Sequence, residues 1–310
     1  MSLKAFVGIT DNDWFNFLSG LQGIDEVNFW QPGGRTQFKT LSPGEPFLFK
    51  LHAPHHFIAG GGFFAHSTLL PLSLAWDAFR EKNGAATFQE MRLLIERRRR
   101  VSSIIDYQIG CILLEQPFFF RREDWIPAPE DFHPNIVQGK TYDLISGIGK
   151  RLWEQVEIRL QAIAPLPIKR EVGEQGQKYG TPITILPRLG QGSFRILVTD
   201  AYRRRCAITQ ERTLPALEAG HIKPFSESGP HKVSNGILFR SDIHRLFDSG
   251  YVTITRDYRF EVSHRIKEDY ENGKDYYSLH GRSIQLPPQK EFYPAEEFIT
   301  WHNDKIFLNS

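Results

Sequence analysis

Two cysteines, Cys111 and Cys206, are all that the 310 residues contain. A disulfide framework needs more, and so does a four-cysteine zinc site within one chain. Such sparing use of thiols suits a reducing compartment. No run of about 18 apolar residues occurs, so no helical membrane span is expected. The opening stretch MSLKAFVGITDNDWFNF has no basic segment followed by a long apolar one, so no secretory leader is expected either. These absences together point to the cytoplasm. Internal repeats and low-complexity tracts are also missing. The net charge is only +2, too small to imply nucleic acid by itself. The arginine clusters, at 97–100 and 203–205, say more than the total.

What is present is ordinary globular material with a bias toward phenylalanine. Forty per cent of residues are hydrophobic and 24% are charged, which excludes a disordered chain. The 24 phenylalanines fit β-rich cores and aromatic pockets. The length is comfortable for two domains. Residues 1–162 read as an α+β unit. LKAFVGI, FLFKL, HFIAGGGFFAH and IGCILLEQPFFF are strand-like runs bounded by Pro and Gly. DNDWFNFLSGL has an Asp cap before apolar residues at helical spacing, and LSLAWDAF and ATFQEMRLLIERRRRV share that period. A curved sheet or small barrel is the expected core. Residues 163–192 are rich in Pro, Gly and polar residues and read as a linker, with TPITIL as a strand inside it. Residues 193–310 form the second unit. SFRILVTDAYRRR reads as a helix with a basic end, and CAITQERTLPALEAGHI as two short strands with a turn. SDIHRLFDSG reads as a compact helix capped by Ser241 and stopped by Gly250. YVTIT and RFEVS read as a hairpin.

Three residues of the second unit stand out by type and spacing. His221 lies in EAGHIKPF, Asn235 in KVSNGILF 14 residues on, and His244 in SDIHRLFDSG nine further. The expected layout is strand, loop, strand, helix. A neutral histidine, with an ordinary pKa of about 6.5, is able to take a proton from water near neutral pH. A divalent cation beside it is able to neutralise a phosphate. Over the stretch RCAITQERTLPALEAGHIKPFSESGPHKVSNGILFRSDIHRLFDSG the chain resembles the HNH nucleases, the ββα-metal fold, down to the Asn-Gly, Asp-Ile-His and Leu-Phe-Asp flanks. That resemblance implies a DNA endonuclease with His221 as general base, His244 as metal ligand and Asn235 as the residue that orients His221. It also implies a divalent ion, with Mg²⁺ or Mn²⁺ favoured because such ions keep several waters. One departure stands out. The position before the base, where many relatives carry a second metal ligand, is Gly220. Glu218 shares its strand face and Asp248 shares a helical face with His244, so both are candidates for that role. A single protein ligand completed by water is a third arrangement. Arg203 and Arg204 are candidates for DNA backbone contact, and a solvated helix end is the alternative. Cys206 reads as a small buried hydrophobe.

The first unit contains EVNFWQPGGRTQF, then LSPGEPFLFKLHAPHHFIAGGGFFAHSTLLPLSLAWDAF, then IGCILLEQPFFF and Trp125. Over residues 3–150 this order resembles an EVE-like domain of the PUA superfamily, akin to the YTH readers. With an HNH module, the pairing resembles the EVE–HNH modification-dependent restriction endonucleases. That implies restriction of double-stranded DNA carrying modified cytosine, 5-methylcytosine or 5-hydroxymethylcytosine. The base would flip into an aromatic pocket, with stacking worth about 1–3 kcal/mol. Trp30 and Trp76 are the candidate walls and Asp77 the candidate edge reader. Phe29, Phe64 and Asn28 are second choices, and each tryptophan has a plain core role as its alternative. Cutting both strands implies a homodimer or two binding events. A nuclease indifferent to modification, and a nucleic-acid-binding protein with an inactive HNH fold, stay open as alternatives.

Overall fold

In the computed structural model, described for residues 3–99, 106–163 and 189–308, the chain divides into two compact units between residues 188 and 189. The linker expectation over 163–192, the strand expected at TPITIL and Arg100 fall largely or wholly outside the described residues.

The first unit is α+β. Its strands are β1 (Lys4–Thr10), β2 (Glu26–Gln31), β3 (Pro46–Leu51), β4 (Phe57–Pro71), β5 (Gln108–Phe119), β6 (Ile126–Pro127) and β7 (Gly139–Asp143). Its helices are α1 (Asn12–Ser19), α2 (Leu72–Phe79), α3 (Phe88–Arg99) and α4 (Gly147–Ile163). The strands form one sheet in the order β2-β5-β4-β3-β1-β7, with β6 also on β4. β1 and β3 are parallel, with Phe6 opposite Phe47, and the other pairs are antiparallel. Among the described residues no ladder joins β2 to β7, so the sheet is open and a closed barrel is not formed. β4 bends at register shifts that flank Gly61 to His66.

Alternation along β3 shows how the sheet is covered. Leu48 faces one side, in a core with Val7, Ile58 and the α4 residues Leu152 and Val156. Phe47 and Phe49 point the other way, into an aromatic cluster with Phe29 and Trp14. This is the period-two pattern of a strand buried on both faces. Each such ring contributes about 1.5–3 kcal/mol through burial, so Phe49→Ala would cost about 3–5 kcal/mol once its cavity is counted. α1 brings Trp14 into that cluster. Its cap is Asp11, whose Oδ1 accepts from the N–H groups of Asp13 and Trp14 at 2.8 and 3.3 Å.

The second unit contains α5 (Gln191–Ala201), β8 (Leu217–His221), β9 (Gly236–Arg240), α6 (Ser241–Asp248), β10 (Val252–Ile254), β11 (Phe260–Val262), α7 (Arg265–Tyr270), α8 (Lys274–Tyr277) and α9 (Glu296–Lys305). β8 and β9 pair antiparallel, with His221 opposite Gly236. β10 and β11 form the expected hairpin. The core joins Phe194 and Val198 of α5, Ile237 and Phe239 of β9, and Ile243 and Phe247 of α6. Cys206 is fully buried within it, the small-hydrophobe role expected of it.

Two local expectations are corrected. CAITQERTLPALEAGHI contains one strand, not two. Its first part closes a turn, with Cys206 N–H donating to Glu211 O at 2.9 Å, and Leu214–Ala216 forms a 3₁₀ turn around Pro215. Ser241 is the first helical residue rather than the cap. β9 runs directly into α6, so the extended residue at the junction is Arg240, which makes no capping bond and instead grips Asp242 with two hydrogen bonds of 2.6 and 2.7 Å. Gly250 does follow the helix end in a left-handed conformation, φ 77°. Among the described residues no helix is long and apolar enough to cross a membrane.

Candidate active site

Three elements carry the residues of interest: the end of β8, the start of β9 and the helix that follows. A loop of residues 222–235 joins the strands. Asn235, fully buried, holds that loop closed. Its Nδ2 donates to Lys223 O at 2.9 Å and to Pro230 O at 3.0 Å, and its Oδ1 accepts from Lys223 N–H at 2.9 Å. Ile222 N–H donates to Asn235 O. The backbone on either side of the loop is therefore fixed to one side chain.

His221 sits at the rim of a cavity of about 490 Å³. Its ring stacks on Phe194 of α5, with centroids 3.8 Å apart and planes at 10°. The Asn-Gly pair explains how that stack fits. A Cβ on Gly236 would lie 2.5 Å from Val198 and 2.9 Å from Phe194, so any larger residue there displaces the stacking ring. Nε2 of His221 lies 2.9 Å from Nδ1 of His231. Burial, then the neighbouring His231 and His244, push the His221 pKa down to about 4, so it is neutral at physiological pH. A neutral imidazole is the form a general base requires.

His244 lines the same cavity from α6, with Glu218 and Asp248. Its Nδ1 is 2.7 Å from Glu218 Oε2, and its Nε2 is 3.5 Å from Asp248 Oδ2. Burial raises the Asp248 pKa; His244 opposes that shift and the Glu218 charge adds to it. Gly220 has a physical reason in this arrangement. A Cβ on it would lie 2.6 Å from Cδ2 and 2.7 Å from Nε2 of His244. The space that a ligand at position 220 would use is filled by the imidazole.

A family model described as HNH endonuclease matches residues 206–255, the segment that holds these groups. This segment is an HNH endonuclease domain. The match covers the turn at Cys206, both strands of the pair, α6 and β10. No curated protein matches the chain. Among solved structures, a mutant of the ZmASCH protein from Zymomonas mobilis is similar at 11% identity and a TM-score of 0.31, covering 48% of this chain and 96% of that one. A modification-dependent TagI restriction endonuclease is similar at 13% identity and a TM-score of 0.30, covering 97% of this chain and 81% of that one. At these scores neither likeness bears on function.

HNH endonucleases work on DNA with a divalent metal ion, and the donor set of the HNH domain suits one. Two carboxylates and one imidazole converge on the cavity, a mixture that accepts a hard cation. Among the described residues no group of three or more His, Cys, Asp or Glu is placed to hold a metal ion, and each nitrogen of His244 faces a carboxylate. Of the candidates, His244 through Nε2 and Asp248 face one another across a space an ion could share, whereas Glu218 sits on the Nδ1 side of the ring.

Sequence reading missed several members of the HNH site. His231 lies in the loop ten residues after His221, where its only sequence signal was a histidine between the two strands. Phe194, Gln191 and Arg195 reach the cavity from α5, outside the motif. Arg203 and Arg204 do not line it. Arg204 pairs with Asp200 at 3.1 Å, and Arg203 is exposed.

The first unit has its own cavity, of about 210 Å³, lined by Trp30, Phe29, Trp14, Pro32, Asp11 and Arg98 among others. Trp30 is buried, and its indole N–H donates to Asn83 O at 2.9 Å. Trp76 and Asp77 do not line this cavity. Trp76 is half-buried against Phe88, and Asp77 is exposed beside Arg80 at 3.4 Å. Phe64 and Asn28 are buried elsewhere, Asn28 against Asn83 and Cys111. The basic run on α3 is engaged within the unit. Arg97 faces Asp13, Arg98 pairs with Asp11, and Arg99 bonds to Pro32 O and Gln108 O while covering the Tyr107 ring.

Proposed function

We propose that this protein is a modification-dependent DNA endonuclease with a division of labour between its two units. The first, over residues 1–162, is an EVE-like reader of the PUA superfamily that receives a flipped modified cytosine. The second, over residues 193–310 and joined to it by a linker, hydrolyses the phosphodiester. The observation that carries the nuclease half is the convergence of His221, Glu218, His244 and Asp248 on one cavity within the matched segment.

His221, neutral at physiological pH, takes a proton from the attacking water. Asn235 holds the backbone that bears His221, so the base stays aimed at the cavity. Glu218 orients the His244 ring through Nδ1, as carboxylates commonly do for metal-bound imidazoles. His244, through Nε2, and Asp248 would hold a divalent ion, Mg²⁺ or Mn²⁺, with waters completing its shell, and such an ion would supply charge neutralisation at the scissile phosphate and the departing oxygen. Arg203, exposed at the basic end of α5, meets the DNA backbone, and Arg204, braced by Asp200, stands beside it.

In the reader, the Trp30 cavity supports base binding better than Trp76 or Asp77 does. It offers aromatic faces beside Gln138, an amide able to meet the polar edge of a base. Trp76 and Asp77, on α2, lie outside this cavity and are set aside as pocket residues. One strand is cut per HNH site, so a homodimer accounts for double-strand cleavage.

The test is digestion of matched DNAs carrying cytosine, 5-methylcytosine or 5-hydroxymethylcytosine, with Mg²⁺ or Mn²⁺ and with a chelator. Cutting of modified DNA alone, abolished by the chelator, is expected. Equal cutting of all three refutes the reader, and cutting in the chelator refutes the metal.

A further inference from the structure

We propose that His231 is the positioning residue for His221: it fixes the tautomer of that ring so that Nδ1, and not Nε2, is the nitrogen that takes the proton. The inference rests on His221 being the general base.

The geometry comes from the hydrogen bond of 2.9 Å between His221 Nε2 and His231 Nδ1. A neutral imidazole carries one N–H, so a nitrogen-to-nitrogen bond has only two forms. If His231 donates, His221 accepts at Nε2 and holds its own proton at Nδ1, and neither nitrogen is left to accept from water. If His221 donates from Nε2, its Nδ1 is bare. Only the second form is a base. His221 lines the cavity and His231 does not, so the nitrogen bonded to His231 is the one turned toward the loop and Nδ1 is the one left for the cavity. Among the described residues His221 Nδ1 has no hydrogen-bond partner, which leaves it for water. After proton transfer the imidazolium still donates Nε2–H to His231, which spreads the charge away from the phosphate.

The pair is built rather than incidental. Each ring is stacked by its own phenylalanine, His221 on Phe194 and His231 on Phe225 at 4.9 Å and 7°. Their spacing is set by one residue. The Asn235 amide that binds Lys223 O, two residues past His221, also binds Pro230 O, the residue before His231. Asn235 therefore holds the two histidines at bonding distance as well as closing the loop.

The experiment reads ring-nitrogen ¹⁵N shifts of His221 in the full-length protein, wild type and two variants, beside plasmid cleavage in Mn²⁺. Wild-type His221 is expected as the Nε2–H tautomer. His231→Leu should mix the tautomers and slow cleavage by about 10-fold or more, part of the roughly 10²- to 10⁴-fold that a general base contributes. His231→Asn places an amide oxygen near the position of Nδ1, so it should restore the tautomer and most of the rate. A wild-type Nδ1–H tautomer overturns the inference. So does a His231→Leu protein unchanged in both shifts and rate, or a loss that His231→Asn does not recover. Should His231→Leu not fold, the wild-type spectrum alone decides. His221→Ala separates the two claims: full cleavage by that variant removes the base assignment, whereas the tautomer result concerns His231 only.

Discussion

The two cavities are assembled in different ways. The one around His221 takes most of its polar groups from residues 218–248, with help from α5 and α9. The one beside Trp30 is gathered from residues 9–14, 29–36, 52, 98 and 137–138. The first is lined by titratable groups held by short hydrogen bonds. The second is lined by rings and by charges that already neutralise each other, Asp11 with Arg98. Bond-breaking chemistry needs a few groups at fixed distances, which a short strand–loop–strand–helix segment supplies. Recognition needs a shaped surface, which a sheet assembles from distant stretches.

The contrast is broken or sharpened by three measurements. The largest effect is expected for His221→Ala, which removes the proposed base and should lower cleavage by about 10²- to 10⁴-fold. Binding of modified DNA should persist, as measured by gel shift with thermal melting as the fold control. If binding falls with cleavage, the two functions are not divided as proposed.

Next comes acid sensitivity. His302 of α9 is 2% exposed, stacks on Phe247 at 3.7 Å, and lies 3.0 Å from Phe247 O and 2.8 Å from the Thr253 hydroxyl. Burial pushes its pKa down to about 4, with the Phe247 carbonyl opposing. Between about pH 6.5 and pH 4 the unfolded chain binds a proton that the folded chain refuses. Stability is therefore full above pH 6.5 and falls as pH drops, by about 3 kcal/mol from this one group at the acid end. Thermal melts from pH 7 to pH 4.5 should show the second unit losing stability, and the His221→Ala variant, which lacks the other histidine pushed down to about 4, isolates the share of His302. A flat profile would mean His302 charges freely.

The smallest effect is expected in the first unit. Trp30→Phe keeps a stacking face but leaves Asn83 O without its indole donor. About 1 kcal/mol of stability should be lost. Preference for modified over unmodified DNA should fall roughly fivefold, the low end of base stacking. Titrations of the two DNAs check this, and unchanged preference moves the reading pocket away from Trp30.

The same contrast governs what could be read without coordinates. His221, Asn235 and His244 were legible because order and spacing carry the motif within one segment. β1, β3, α1 and the β10–β11 hairpin were legible from period and caps. Gly220 was read as a gap in a metal shell, because spacing does not report that an imidazole fills it. His231 was missed because its partner lies across a loop closed by Asn235. Ser241 was misplaced because strand β9 leaves no separate turn before α6. β7, whose sequence GKTYD has no apolar alternation, gave no signal, and it is ordered by pairing with β1. The Trp30 cavity was half legible: the tryptophan was named, but its neighbours Arg98 and Gln138 come from elements that only the sheet brings together.

Gly220 has one more consequence, for how such a site is able to change over generations. An acidic residue introduced there, as in many HNH nucleases, would strike the His244 ring before it could serve as a ligand. The imidazole would have to turn aside to admit it, and that movement would loosen the bond from its Nδ1 to Glu218. Positions 218, 220 and 244 are thus coupled through one ring, so a change at the smallest of them is felt at the other two.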